Sequence, residues 1–220
     1  MKEKIKEFVI KNLKWIILFI CLIGFFALAE DVFNKEIMQG DIIGYKIVST
    51  YLISDFATPI AKFITNFGGV IFLISTTIIL FVAIKNKKIG ITIISNLCII
   101  TILNQLLKRI LQRPRPEEFR IINESGYSFP SGHSMISMAF YGYLIYLIYR
   151  YVKNKYLKWA LITILGILIV SIGVSRIYLG VHYTSDVLAG FLISISYLII
   201  YTSLINKFVL KSKISTRSSI

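Results

Sequence analysis

Cysteine, histidine and carboxylates are all scarce in this chain. The two cysteines, Cys21 and Cys98, lie in different apolar runs; this excludes a disulfide framework or a thiolate metal site, and both read as buried hydrophobic thiols. Eleven acidic residues stand against 25 lysines and arginines. No group of carboxylates has the spacing of a Ca²⁺ or Mg²⁺ site, so neither a metal nor another cofactor is expected. Internal repeats, low-complexity tracts and a polar stretch large enough for a soluble domain are missing too. The two histidines, His133 and His182, each fall inside a cluster of other polar residues. That economy is the first hint of chemistry.

What the chain has in excess is apolar surface. A hydrophobic content of 56% and a mean hydropathy of +0.74 fit a polytopic membrane protein rather than one or two soluble domains. A net charge of +14 would by itself raise nucleic acid as a partner. The basic residues, however, fall in short blocks between apolar runs rather than on one surface, so no nucleic-acid partner is expected. Apolar runs able to cross a hydrocarbon core of about 30 Å occur at residues 13–29, 69–84, 89–107, 135–149, 159–174 and 187–205. The prediction is an all-α fold, a single integral-membrane domain over 1–220 built as a six-transmembrane-helix bundle. The first run passes into Glu30 and Asp31 without a small-residue cleavage site, so it reads as an uncleaved span rather than a secretory signal. Residues 41–55 have helical spacing of apolar side chains and predict a helix lying in the interface. Residues 207–220 read as a short frayed tail.

Charge sets the expected orientation. With the N-terminus inside, segments 1–12, 85–88, 150–158 and 206–220, together with Lys14, carry 16 of the 25 basic residues, which places both termini in the cytoplasm. One outside segment breaks the pattern. Lys108, Arg109, Arg113, Arg115 and Arg120 exceed the basic residues of either inside loop between spans, so some of them are kept for an anionic ligand. Taken singly, Arg109 and Arg113 read as interfacial snorkelling residues.

Three polar clusters lie at span ends on that outer side. The first runs from Lys108 through Arg115 to Pro116, the second is Pro130-Ser131-Gly132-His133, and the third runs from Ser175 and Arg176 to His182 and Asp186. His182 and Asp186 are four apart; at the start of a helix they share a face, where a carboxylate fixes the imidazole tautomer and leaves the other nitrogen free as nucleophile or base. A lone pair of this kind also serves simply as a helix cap. Arg115, Arg176 and Lys108 supply two planar forks and a point charge for phosphoryl oxygens. Ser131 is a good N-cap, Gly132 permits close backbone approach, and the helix start favours an anion. Pro114, Pro116 and Pro130 stiffen the loop that joins the first two clusters.

In order and spacing the clusters resemble the three-part signature of the type 2 phosphatidic acid phosphatase family: Lys-x6-Arg-Pro, Pro-Ser-Gly-His and Ser-Arg-x5-His-x3-Asp. The match covers the catalytic core, 108–186, without departure at the matched positions. The resemblance implies a membrane lipid phosphatase whose partners are the bilayer and a lipid phosphate, with no obligate protein partner inferred. It also implies roles: His182 as the nucleophile that forms a phosphohistidine, Asp186 orienting it, and His133 protonating the leaving oxygen and later activating water. Lys108, Arg115, Ser131, the Gly132 amide and Arg176 would hold the phosphoryl oxygens, with no metal. Undecaprenyl diphosphate and glycerolipid phosphates such as phosphatidylglycerol phosphate or phosphatidic acid both fit as substrates. The alternative from another class is a transporter or carrier of an anionic lipid without hydrolysis, which would place its charges near the midplane.

Overall fold

The computed structural model describes residues 2–36, 38–117 and 120–210. Among them are eight helices and no strand: α1 (Lys2–Phe33), α2 (Gln39–Tyr51), α3 (Ala57–Asn66), α4 (Val70–Ala83), α5 (Lys87–Leu111), α6 (Gly132–Tyr151), α7 (Lys155–Tyr178) and α8 (Thr184–Phe208). The all-α membrane architecture is as expected, but the count of six spans is not reproduced. Four helices are long and apolar enough to cross a membrane, Asn12–Phe33 within α1 and the whole of α5, α7 and α8. A fifth arises only if α3 and α4, bent by 49° across residues 67–69, form one broken span.

The run expected to cross at 135–149 lies in α6, whose 20 residues include Ser134, Ser137 and five tyrosines. Its lower apolarity has a structural reason: α6 packs against α5, α7 and α8, so its side chains meet protein rather than lipid. Met135, Ala139, Phe140 and Tyr143 are fully buried there, and the tyrosine hydroxyls find partners. Tyr143 donates to Thr92 Oγ1 at 2.7 Å and Tyr141 to the Phe67 carbonyl at 2.7 Å, so these two phenols are satisfied inside the apolar interior, whereas the buried Ser137 hydroxyl has no partner among the described residues. Cys21 is buried as expected, whereas Cys98 faces outward from α5.

The connection 30–68 is more structured than its sequence suggests. α2 ends at Tyr51, short of residue 55, and the Tyr178 hydroxyl meets Thr58 Oγ1 at 2.9 Å and the Ser54 amide at 3.2 Å, which fixes the turn into α3. Pro59 falls in the first turn of α3, where a missing N–H costs nothing. α2 rests on α7 and α8, and α3 on α7, so this segment covers the end of the bundle that carries the polar clusters. The tail expected at 207–220 begins inside α8, which runs to Phe208; residues 211–220 lie outside the described residues. α6 and α8 meet closely at Gly190, where a Cβ would stand 3.1 Å from the Met135 amide nitrogen and 3.2 Å from the Ser131 carbonyl oxygen. A side chain at Gly190 would push apart the two helices that bear the second and third clusters.

Candidate active site

Lys108 sits in the last turn of α5, which Gln112 ends by adopting a left-handed conformation, φ 44°. Residues 113–117 and 120–131 then cross the end of the bundle as loop. Lys108 Nζ donates to the carbonyls of Tyr127 at 2.5 Å and Ser128 at 3.2 Å, tying the two ends of that loop together. Arg115 spreads its guanidinium over the same loop and the third cluster. It donates to the carbonyls of Gly126 (2.9 Å), Ser125 (3.1 Å) and Val181 (3.0 Å), and its Nη1 lies 3.1 Å from His182 Nε2. Burial, with the charge of Arg120, presses the Arg115 pKa down against the pull of Glu124 and Asp186.

His182 lies in the turn between α7 and α8 and is 3% exposed; Asp186, in the first turn of α8, is fully buried. His182 Nδ1 faces Asp186 Oδ2 at 3.2 Å, so we assign the ring proton to Nδ1 and the lone pair to Nε2. The same carboxylate oxygen accepts from the Tyr183 amide at 2.9 Å and from the Ser128 hydroxyl. Burial lowers the His182 pKa to about 4, Asp186 opposing the shift and the Arg115 and Arg176 charges adding to it. The imidazole is therefore neutral near pH 7, the state a nucleophile needs.

α6 begins at Gly132. The buried Ser131 hydroxyl accepts from the Ser134 amide at 3.4 Å and from the Ser134 hydroxyl at 3.0 Å, which confirms its capping position. The Ser131 amide donates to the Asp186 carbonyl at 3.0 Å. A Cβ on Gly132 would come within 3.1 Å of Asn104 Oδ1 and 3.9 Å of Lys108 Cε, so glycine is what lets this helix start lie against the end of α5. His133 follows, beside Gly68 and within electrostatic reach of Arg176, His182, Arg115 and Lys108.

Arg176, near the end of α7 and 1% exposed, donates to Thr65 Oγ1 at 2.7 Å and to Glu124 Oε1 at 2.6 Å. Its Nε is buried without a partner among the described residues, an orphan donor of the kind an anion would satisfy. Burial pushes the Glu124 pKa up, but the hydrogen bond and charge of Arg176 win and hold its carboxyl below the usual range.

The structure thus gathers all eight residues singled out from the sequence at one end of the bundle. Arg115, His182 and Asp186 touch in series; Ser131 joins through its backbone, Lys108 through the loop and Arg176 through Glu124. Four participants were not foreseen. Ser128 and Glu124 sit in the loop between the first two clusters, and Asp41 belongs to α2. Arg113, read from the sequence as an interfacial snorkelling residue, instead binds Asp186 Oδ1 at 2.7 Å, Asp41 Oδ2 at 2.6 Å and Ser185 Oγ at 2.7 Å. Its place two residues before Arg115 in a stiff loop was the available signal.

Comparison with known proteins agrees with this geometry. A family model described as the PAP2 superfamily matches residues 89–210. The chain is 41% identical over 92 residues to phosphatidylglycerophosphatase B of Bacillus subtilis, covering 41% of this chain and 45% of that protein's length. It is 30% identical over 170 residues to undecaprenyl-diphosphatase of Sulfolobus acidocaldarius, covering 73% of each. The crystal structure of a transmembrane PAP2 type phosphatidylglycerolphosphate phosphatase from Bacillus subtilis superposes with a TM-score of 0.78 at 26% identity, covering 87% of this chain and 96% of that one.

Proposed function

The chain belongs to the PAP2 superfamily, and on that premise we propose that it is an integral-membrane lipid phosphatase that removes the terminal phosphate of a lipid phosphate or diphosphate. The observation that carries this reading is the series Arg115, His182, Asp186 beside the unpaired Arg176 Nε: an oriented nucleophile next to an unfilled anion donor. Its similarity to proteins named for phosphatidylglycerophosphate and undecaprenyl diphosphate supports both as substrate classes.

In the proposed reaction Arg115 transfers its Nη1 hydrogen bond from His182 Nε2 to a phosphoryl oxygen and frees the lone pair. Nε2 attacks phosphorus as the bond to the lipid oxygen breaks, and His133, which takes up a proton when the anionic substrate binds beside it, gives that oxygen its proton. Water then attacks the phosphohistidine and passes a proton to His133; the P–N bond breaks, and both histidines return to their starting state. Lys108, Arg115, Arg176 and the Ser131-Gly132 turn surround the phosphoryl oxygens, whose charge grows towards the transition state. Asp186 stays ionised and holds Nδ1–H while the ring becomes positive. α6 completes the crossing inside α5, α7 and α8, both termini lie in the cytoplasm, and the site opens to the outer leaflet. Protein purified in detergent, with chelator present, should release phosphate from a polyprenyl diphosphate or from a glycerolipid phosphate. Release from neither refutes the reading, and activity restored only by Mg²⁺ refutes the metal-free part of it.

A further inference from the structure

Asp186 has two carboxylate oxygens with different duties. Oδ2 faces His182, Ser128 and the Tyr183 amide, while Oδ1 is held by Arg113 Nη1 at 2.7 Å. Arg113 is itself held. Its other amino group binds Asp41 Oδ2 at 2.6 Å, and its guanidinium lies 4.0 Å from the Tyr183 ring centroid. Asp41, on α2, accepts from the Ser185 amide at 2.8 Å and the Ser185 hydroxyl at 2.9 Å, so a carboxylate from a distant helix satisfies a free N–H at the start of α8. The side chains of Asp41 and Arg113 are only 5% and 10% exposed. Charges alternate along the chain of contacts: Asp186 negative, Arg113 positive, Asp41 negative, the helix start positive.

We infer that Arg113 and Asp41 are positioning residues for the proposed nucleophile, Arg113 fixing Asp186 towards His182 and Asp41 balancing Arg113 so that it does not draw the Asp186 carboxylate away. This rests on the phosphatase reading above, but neither residue belongs to the matched signature. The balance follows from charge. Without Asp41, the full charge of Arg113 would fall on Asp186 and weaken its hold on the ring as that ring becomes positive. Without Arg113, Oδ1 loses its strongest partner and the carboxylate is free to turn.

The test compares Asp41→Asn and Arg113→Gln with the wild type by steady-state kinetics in detergent on an aryl phosphate, across pH. Both variants should lose roughly tenfold in kcat, by analogy with the loss of hydrogen-bond partners behind metal-bound histidines, with KM unmoved. The acid limb should move in opposite directions. Asp41→Asn adds net positive charge near His182 and shifts the limb to lower pH, whereas Arg113→Gln removes it and shifts the limb upward. The other charged or titratable groups around the His182–Asp186 pair are Arg115 and Glu124 of the loop, Arg176 of α7, His133 of α6, Lys108 of α5 and Tyr183; all are unchanged in both variants. Unaltered kcat with a lowered unfolding temperature, or a raised KM, would overturn the inference, as would limbs moving together. If Asp41→Asn fails to fold, Ser185→Ala removes one hydrogen bond from each of Arg113 and Asp41 without changing charge. A kcat lowered a few-fold at constant KM supports the inference, and an unchanged kcat overturns it. An inactive wild type would overturn the phosphatase reading, and this inference with it; active wild type with kinetically silent variants overturns this inference alone.

Discussion

Arg176 gives one amino group of its fork to Glu124, so on the proposed reading a phosphate oxygen binding there would compete with an internal carboxylate. Glu124→Gln keeps the shape and removes the charge. A hydrogen bond to a charged group contributes about 1.5–3 kcal/mol. Because the Glu124 side chain is 29% exposed, solvent screening reduces this to about 1–2 kcal/mol. At about 1.4 kcal/mol per tenfold, the variant should bind inorganic phosphate roughly 5–30-fold more tightly. The assay is the inhibition constant of inorganic phosphate against aryl phosphate hydrolysis. Its pH dependence supplies a second reading. Arg176 holds the Glu124 pKa below the usual carboxylate range, so the competitor is present at neutral pH and lost only as pH falls through that depressed value, where wild type and variant should converge. An inhibition constant that is unchanged or raised at neutral pH would refute the reasoning and make Glu124 a support for Arg176 rather than its competitor.

The two histidines should separate by leaving group: general acid help is worth about 10²–10⁴-fold, so His133→Ala should lose far more rate on a lipid phosphate than on an aryl phosphate, while His182→Ala loses both alike and forms no acid-labile phosphoenzyme. For orientation, single cysteines at Lys35 and Arg120, in a background without Cys21 and Cys98, should react with an impermeant thiol reagent in intact cells, whereas those at Lys87 and Lys153 stay protected; the reverse labelling pattern would place the site inside. On an aryl phosphate, which needs no proton from His133, the wild-type kcat/KM should hold as pH drops from 7 and fall below about 4, where His182 takes up its proton. Stability follows the same sign: an unfolded histidine titrates near 6.5, so the contribution of the neutral buried ring is complete above that value and is lost as pH falls towards 4. A kcat/KM already halved at pH 6 would assign the limb to another group.

The three clusters were legible because each lies on one short continuous stretch of chain at a helix end, so its residues stay near one another whatever the rest of the fold does. Capping by Ser131 and the His182–Asp186 pair are of this kind. Asp41 was not legible, since it meets Ser185 and Arg113 across 144 and 72 residues, and nothing in an amphipathic stretch at 41–55 marks one carboxylate as buried. Arg113 was misread for the same reason: a basic residue at a span end is an interfacial anchor unless a distant acid claims it. α6 is less apolar than the four long spanning helices because hydropathy measures comfort in lipid, and α6 is packed among other helices. α3 escaped notice as a short run interrupted by Pro59 and Lys62.

The shelter of α6 has a further consequence. A bilayer thicker or thinner than a protein's apolar belt is accommodated by tilting of the helices that touch lipid, and α6, bordered by α5, α7 and α8, has little contact through which to feel that mismatch. Its first turn is also tied to α8, through the Ser131 amide and the close approach at Gly190. Changes in membrane thickness therefore reach the outer helices and the path by which a headgroup arrives, while the relation of His133 to His182 stays constant.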